Sequence, residues 1–350
     1  MAQLFFGIDA SADTMAVCAT DELGLVVGET ICAATPTTVT GELRALGAGP
    51  GSIIGIEAGW CGTVLTRRLR REGFVVRVLS TRYVNGYLKL TQNKTDRNDA
   101  RGIADIVRLG ANAVPDVLVK SEAIQMLRSE VVLRSQLVSQ RVALEASIRS
   151  IVRLNGGKLT RAYSGTHFDQ VIKSEIARLQ TEGTDLSEVV GPTAEILVAL
   201  RRLLERMDRD FVHRANELAT CKLFLTIPGV GPICALSFYT AIEDPSRFKR
   251  AEDVGPYLGL VPRMSQSGTV LRAGRISRRG SSLTRTHLVT AAVIMMSQAK
   301  ADSDLKRWAL NLEQRAGRGK ARVALARKLA TIMIAMWKSG EPFRPDAIPG

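Results

Sequence analysis

Apolar residues fall in short runs over the first third of the chain and in long stripes over the rest. Runs at 4–9, 14–19, 24–32, 52–57 and 74–79 are bounded by turn residues, the pattern of buried strands. The polar pair Asp21-Glu22 with Gly24 predicts a hairpin turn between the second and third. Helical periodicity covers 38–47, 61–72, 80–91 and 97–109. Three early strands followed by alternating helices and strands predict a mixed sheet with helices on its faces. Beyond residue 120 the spacing changes. Ile124, Val131 and Val138 recur every seven residues, as do Leu137, Leu144 and Ile151. Ile196, Leu200, Leu203, Met207, Phe211 and Leu218 then follow at steps of three, four or seven. These are two long amphipathic helices. Asn155-Gly156-Gly157 ends the first, and Gly191-Pro192-Thr193 precedes the second. An antiparallel helical hairpin or coiled coil is the natural arrangement, with an ordinary helical bundle packed on the first domain as the alternative. The stretch 156–192 between them is polar and mixed. From 221 onward the chain reads as helical with a basic loop, and 283–299 and 320–338 as helices.

Composition narrows the partners. The chain has 350 residues, enough for two or three structural units, and 45% are apolar, enough for real cores. Its 48 Lys and Arg exceed 34 Asp and Glu, leaving a net charge of +14 that suits a phosphate-rich partner. No unbroken apolar span of about 20 residues offers a membrane crossing. The start lacks a basic segment before its apolar stretch and is not a signal peptide. Cys18, Cys32, Cys61, Cys221 and Cys234 are odd in number and lack metal spacing, so they read as reduced, mostly buried thiols of a cytoplasmic protein. With three histidines, His167, His213 and His287, histidine-based metal or triad chemistry is disfavoured.

Four carboxylates stand where an oxygen-ligand metal site would need them. Asp9 ends the run Leu4-Phe5-Phe6-Gly7-Ile8, and Glu57 ends Ile53-Ile54-Gly55-Ile56. Asp96 and Asp99 lie three apart in a helical segment and share a face. Two strand ends and one helix face can converge on one point. Clustered carboxylates without Cys or His favour hard ions, Mg²⁺ or Mn²⁺. Each acid has a plainer reading: Asp9 capping a turn, Glu57 capping the next helix, Asp96 as a helix N-cap with Asp99 at the third position. The strand end Gly7-Ile8-Asp9 also has a counterpart in actin-like sugar kinases, where the Asp serves nucleotide phosphates.

The last third carries the positive charge. Thr226-Ile227-Pro228-Gly229-Val230-Gly231 fits the turn of a helix-hairpin-helix unit, whose glycines permit close approach to a phosphate; a plain interhelical turn fits it equally. Arg263, Arg272, Arg275, Arg278 and Arg279 surround Ser267-Gly268 in a basic loop, with Arg285 beyond. On local chemistry Ser267 is a phosphate hydrogen-bond donor more readily than a nucleophile, since no nearby His offers itself as a base.

Taken in order, these elements resemble the DEDD transposases of the insertion-sequence one-ten family, the RNA-guided bridge recombinases. The resemblance runs nearly end to end. It rests on Gly7-Ile8-Asp9, Ile56-Glu57-Ala58, Asn93-Lys94-Thr95-Asp96 with Asp99-Ala100-Arg101, Ile227-Pro228-Gly229-Val230-Gly231, Gly259-Leu260 with Pro262-Arg263, Ser267-Gly268, and Arg327-Lys328-Leu329-Ala330. One departure is visible: Gly59-Trp60 stands where family members often have Thr-Gly, so a hydroxyl beside Glu57 is missing.

The resemblance implies a ribonuclease-H-like (RuvC-like) mixed-sheet domain over 1–118 carrying the tetrad Asp9, Glu57, Asp96 and Asp99 as metal ligands and catalytic residues. It further implies a helical coiled-coil region over 119–220 and a mostly helical serine domain over 221–350 with Ser267 as covalent nucleophile. The implied partners are donor and target DNA, a noncoding guide RNA, and further copies of the chain in a dimer or tetramer, with the tetrad of one subunit completing a site with the serine domain of another. Mg²⁺ or Mn²⁺ is the implied cofactor. The expected function is a site-specific DNA recombinase working through a phosphoserine intermediate. A Mg²⁺-dependent RuvC-like structure-specific nuclease using only the carboxylates is the alternative, and a noncatalytic nucleic-acid scaffold is disfavoured because gathering like charges without a metal is costly.

Overall fold

The computed structural model describes residues 3–89, 93–110, 114–159, 166–267, 270–299 and 302–346. The chain folds as two units, Met1–Lys120 and Ser121–Gly350.

In the first unit, strands β1 (Phe5–Ala10), β2 (Thr14–Thr20), β3 (Val26–Ala33), β4 (Ile53–Glu57) and β5 (Val75–Leu79) form one sheet in the order β3-β2-β1-β4-β5. β1, β2 and β3 are antiparallel neighbours, while β4 runs parallel to β1 and β5 parallel to β4. This mixed five-stranded order fits a ribonuclease-H-like domain. Helices α1 (Pro36–Ala45), α2 (Trp60–Arg71), α3 (Thr81–Leu88) and α4 (Asp96–Arg108) complete the unit. The pleat sends alternate residues to opposite faces. Phe6, Ile8, Ile54 and Ile56 pack with Val39, Leu43, Leu65 and Leu69 of α1 and α2. Phe5 packs instead with Ile103, Ile106 and Val107 of α4.

That second face is cut to fit α4. Gly7 of β1 lies in register with Gly55 of β4. A Cβ on Gly7 would stand 2.1 Å from the Ala100 carbonyl oxygen, and one on Gly55 would stand 2.3 Å from a Val107 methyl. The two bare positions form a trough in which the α4 backbone lies directly on the sheet. Side chains on the odd positions of β1 then meet α4 in reverse order: Phe5 near its end, Gly7 at its middle and Asp9 toward its start.

In the second unit, α5 (Glu122–Leu154) and α7 (Ser187–Glu217) run antiparallel, with α6 (Thr166–Thr181) between them in sequence. Ion pairs tie the long helices at successive levels: Arg214 to Glu130, Arg134 to Asp208 at 2.6 Å, and Arg201 to Glu145 at 2.9 Å. Two expectations are corrected here. The polar stretch 156–192 contains α6, whose Phe168, Ile172 and Leu179 are buried against Ile148, Val152 and Leu197. α7 begins at Ser187 and carries Pro192 inside it rather than starting after it. Pro192 removes one backbone donor, and the burial of Leu186 and Val190 in the same cluster holds the early turn in place.

The remaining elements are α8 (Ala219–Leu225), α9 (Pro232–Ile242), α10 (Val254–Tyr257), strands β6 (Pro262–Ser267) and β7 (Val270–Ile276), and helices α11 (Ser282–Ser297), α12 (Asp304–Ala316) and α13 (Arg318–Ser339). Phe224, Phe238, Leu288, Met295, Leu329 and Met333 centre one core. Gly229, with φ +89°, would place a Cβ 2.6 Å from the Ala291 carbonyl oxygen, so the close approach it permits is to the α11 backbone. The basic loop is a β-hairpin, β6 pairing antiparallel with β7. It escaped the sequence pattern because residues 262–266 are all exposed, so no alternation of buried and exposed positions marks the ribbon. Cys18, Cys32, Cys221 and Cys234 are buried and free, and the side chain of Cys61 lies outside the described residues. Among the described residues no helix is long and apolar enough to cross a membrane.

Candidate active site

The trough on the sheet determines where the acids fall. Two residues beyond the Gly7–Gly55 register pair, at adjacent strand ends, stand Asp9 and Glu57, both half-buried. α4 starts above them. Its N-cap is Thr95, whose hydroxyl accepts from the Asn98 amide at 3.2 Å. Asp96 is therefore the first helical residue and not the cap, so its carboxylate is released from the capping role. Gly59 caps α2 without a side-chain bond, which removes the capping alternative for Glu57 as well. Asp99 is 7% exposed, beside Ala100, which touches Gly7.

The four carboxylates feel one another. Burial, reinforced by the charges of Asp99, Asp96 and Glu57, pushes the Asp9 carboxyl up to about 6. Burial also raises Glu57, with Asp99 adding to it, and raises Asp99, with Asp96 adding to it. Lys94 opposes the shift at Asp9, Glu57 and Asp99. The Thr81 hydroxyl, which donates to the Ala58 carbonyl at 2.8 Å, also lowers Glu57. α3 thus supplies a hydroxyl beside the glutamate where Gly59 supplies none. Sequence reading missed Thr81 because a residue 24 positions from Glu57 becomes its neighbour only when β5 pairs with β4.

All donors here are oxygens and their mutual repulsion is incompletely compensated, which suits a hard divalent cation. Among the described residues, no three His, Cys, Asp or Glu side chains close into a metal-holding cluster. The acids therefore converge electrostatically without forming a finished ligand shell.

In the second unit, Arg263, Arg272, Arg275, Arg278 and Arg279 are exposed along the hairpin and its base. Ser267 is the last residue of β6, opposite Val270; its side chain, with Gly268, lies outside the described residues. The hairpin is anchored at its base. Ser277 donates its amide to the Val261 carbonyl at 2.8 Å, and Arg278 to the Gly259 carbonyl at 3.1 Å. Arg285 is no free phosphate ligand: its guanidinium donates to the carbonyls of Leu258, Arg279 and Gly280.

Acids gathered at the carboxyl ends of adjacent strands in such a sheet define the class of ribonuclease-H-like DEDD transposases. Comparison with known proteins names the family. Residues 6–154 match the DEDD transposase model of the IS110 type, described as transposase, and residues 221–307 match the model for the transposase IS116/IS110/IS902 family. The transposase for insertion sequence element IS1111A of Coxiella burnetii is 30% identical over 97% of this chain and 91% of its own length. A probable family 20 transposase of Pseudomonas aeruginosa is 30% identical over 85% of this chain and 87% of its own. The transposase for insertion sequence element IS1328 of Yersinia enterocolitica is 26% identical over 84% of this chain and 86% of its own. The chain belongs to the IS110 family of insertion-sequence transposases and is a DNA transposase. Domains of this type usually use divalent metal ions.

Proposed function

We propose that this transposase cuts and rejoins DNA at specific sites through a covalent link to Ser267, with Asp9, Glu57, Asp96 and Asp99 holding Mg²⁺ or Mn²⁺. The observation that supports the reading is the placement of Asp9 and Glu57 at adjacent strand ends beside the start of α4, where burial and then the charges of Asp99, Asp96 and Glu57 raise the Asp9 carboxyl. In this reading the tetrad belongs to a RuvC-like domain over 1–118, subunit or RNA contacts to a coiled-coil region over 119–220, and the nucleophile to a serine domain over 221–350.

The Ser267 oxygen forms a bond to phosphorus and the deoxyribose oxygen departs, taking a proton. A hydroxyl end from a second strand then reverses the exchange and releases the serine. The number of phosphodiester bonds is conserved, so no nucleotide hydrolysis is required. Asp9, Glu57, Asp96 and Asp99 would hold a divalent ion, which would supply charge neutralisation at the phosphate. Arg263, Arg272, Arg275, Arg278 and Arg279 grip flanking phosphates. The net charge of +14 supports a nucleic-acid partner; a noncoding guide RNA that selects donor and target DNA for a homo-oligomeric assembly enters this reading through the family resemblance alone.

The test is covalent trapping. Wild-type protein incubated with DNA carrying the element ends is quenched in denaturant and the linked peptide mapped. An adduct at Ser267, lost in Ser267→Ala together with recombination, is expected. Cleavage without any adduct would transfer the reading to a nuclease using the carboxylates alone. An adduct at Ser265 would move the nucleophile.

A further inference from the structure

The Arg327-Lys328-Leu329-Ala330 segment of α13 divides on burial. Leu329 and Ala330 are fully buried, which core packing explains, whereas Arg327 is exposed. Among the described residues no carboxylate pairs with it. Its stem nevertheless has a prepared seat. A Cβ on Gly255 of α10 would meet the Arg327 side chain at Nε, Cγ and Cδ, at 3.2, 3.4 and 3.6 Å. The guanidinium therefore lies across a bare stretch of α10.

Gly259 follows Gly255 by one helical turn and is bare for a related reason. A Cβ there would stand 2.2 Å from the Arg279 amide nitrogen, so the base of the arginine hairpin lies against it. Arg278 sits beside that contact with φ 56°, a conformation that costs a non-glycine residue of order 1 kcal/mol. Its turn is held by the Arg285 guanidinium on the carbonyls of Arg279 and Gly280. Two notches one turn apart on the same short segment thus receive Arg327 from one side and the Arg278–Arg279 backbone from the other.

We infer that Arg327 is a DNA phosphate contact, seated by Gly255 so that its guanidinium acts with Arg278 and Arg279 on the same sugar-phosphate backbone. The assignment rests on the reading of the hairpin as a DNA grip. An exposed guanidinium laid on a bare backbone, with no acid to neutralise it, presents its donors outward at little further cost in side-chain freedom. DNA is the partner chosen because the chain is a transposase.

The experiment measures full-length protein binding to a 30-base-pair duplex of element-end sequence across a salt series, a length of about three helical turns. Arg327→Gln should lower affinity and flatten the salt slope by about one unit. Gly255→Ala keeps every charge and favours helix, yet its Cβ tightens on the Arg327 side chain by a few tenths of an ångström, so it should weaken binding measurably but less than Arg327→Gln. Arg275→Ala serves as the hairpin control. If Arg275→Ala weakens binding while Arg327→Gln and Gly255→Ala do not, the inference fails and the hairpin reading stands. If Arg327→Gln alone acts, the hairpin reading fails, and the Gly255 seat and the joint grip with Arg278 and Arg279 fail with it. If Arg327→Gln changes binding of a structured RNA of equal charge and leaves the duplex unaffected, the DNA assignment is overturned.

Discussion

Each unit gathers a group of acids, and arginine distinguishes the two groups. In the helical unit Glu145 receives Arg201 at 2.9 Å and Arg149 at 3.5 Å, while Arg201 also takes Asp169 at 2.6 Å. Both arginines lie over the Phe168 ring, 4.3 and 5.1 Å from its centre. At Asp9, burial raises the carboxyl, Asp99, Asp96 and Glu57 add to it, and Lys94 opposes them. The first cluster is internally answered, so it locks α5, α6 and α7 together. The second is left in deficit of positive charge, a state that folding alone disfavours and that a cation or a cation-bound phosphate relieves. Among the described residues Asp9 and the acids around it lack the arginine partners that answer Glu145 and Asp169, the deficit that the proposed metal would relieve.

The comparison breaks first at Asp9. Asp9→Asn should cut strand cleavage by more than about 100-fold, since even loss of an outer partner of a metal ligand costs 10–100-fold. DNA binding should persist. Mg²⁺ should raise the melting temperature of the wild type and not of the variant. Cleavage by Asp9→Asn at the wild-type rate would remove the tetrad from the chemistry. At the answered cluster the expected loss is stability instead. Arg201→Met should destabilise the helical unit by about 1–3 kcal/mol in urea unfolding, by removing the shared partner of Glu145 and Asp169 while Arg149 stays on Glu145. Adding Glu145→Met should recover part of it; a double variant no better than the single would mean that Arg201 acts by packing on Phe168.

A comparable effect is expected at the trough. Gly7→Ala should cost about 1–3 kcal/mol by forcing α4 off the sheet, and cleavage should fall further than stability because Asp96 and Asp99 move with the helix. An unchanged rate would separate the trough from the site. The smallest effect is on pH dependence. The His287 ring is pushed down to about 4, chiefly by burial and then by Arg134, and its Nδ1 finds no partner among the described residues. Arg134 is itself engaged by Asp208. The folded state then resists protonation below the unfolded value of 6.5, so the stabilisation present above pH 6.5 is lost as pH falls toward 4. Wild-type stability should drop by about 1.4 kcal/mol more than that of His287→Gln between pH 7.5 and 5.5. Parallel curves would show that His287 titrates normally.

The sheet was legible because β1, β2, β4 and β5 are buried over most of their length, and such burial writes short apolar runs into the sequence. Asp9 and Glu57 were legible for the same reason, as polar ends on apolar runs. α6 was obscured because its apolar face is narrow and its flanks are polar. Pro192 suggested a boundary that tertiary burial of Leu186 and Val190 overrode. The hairpin at 262–276 left no pattern, since a ribbon standing in solvent needs none. Thr81 and Gly255 were invisible for a different reason: each matters through a contact with a distant residue, Glu57 and Arg327, that only the folded chain brings near.

The two trough glycines differ in their prospects for genetic suppression. Gly55 is crowded by the side chains of Val107 and Ile103, so an alanine there can be rescued by a smaller residue on α4. Gly7 is crowded by the carbonyl of Ala100 and the amide of Ala104, which no substitution on α4 can trim. A library that randomises both strands and the facing helix should therefore return diverse solutions at position 55, each paired with a change at 103 or 107, and glycine alone at position 7. The seating of α4 on the sheet hangs on a residue for which the neighbouring sequence has no second answer.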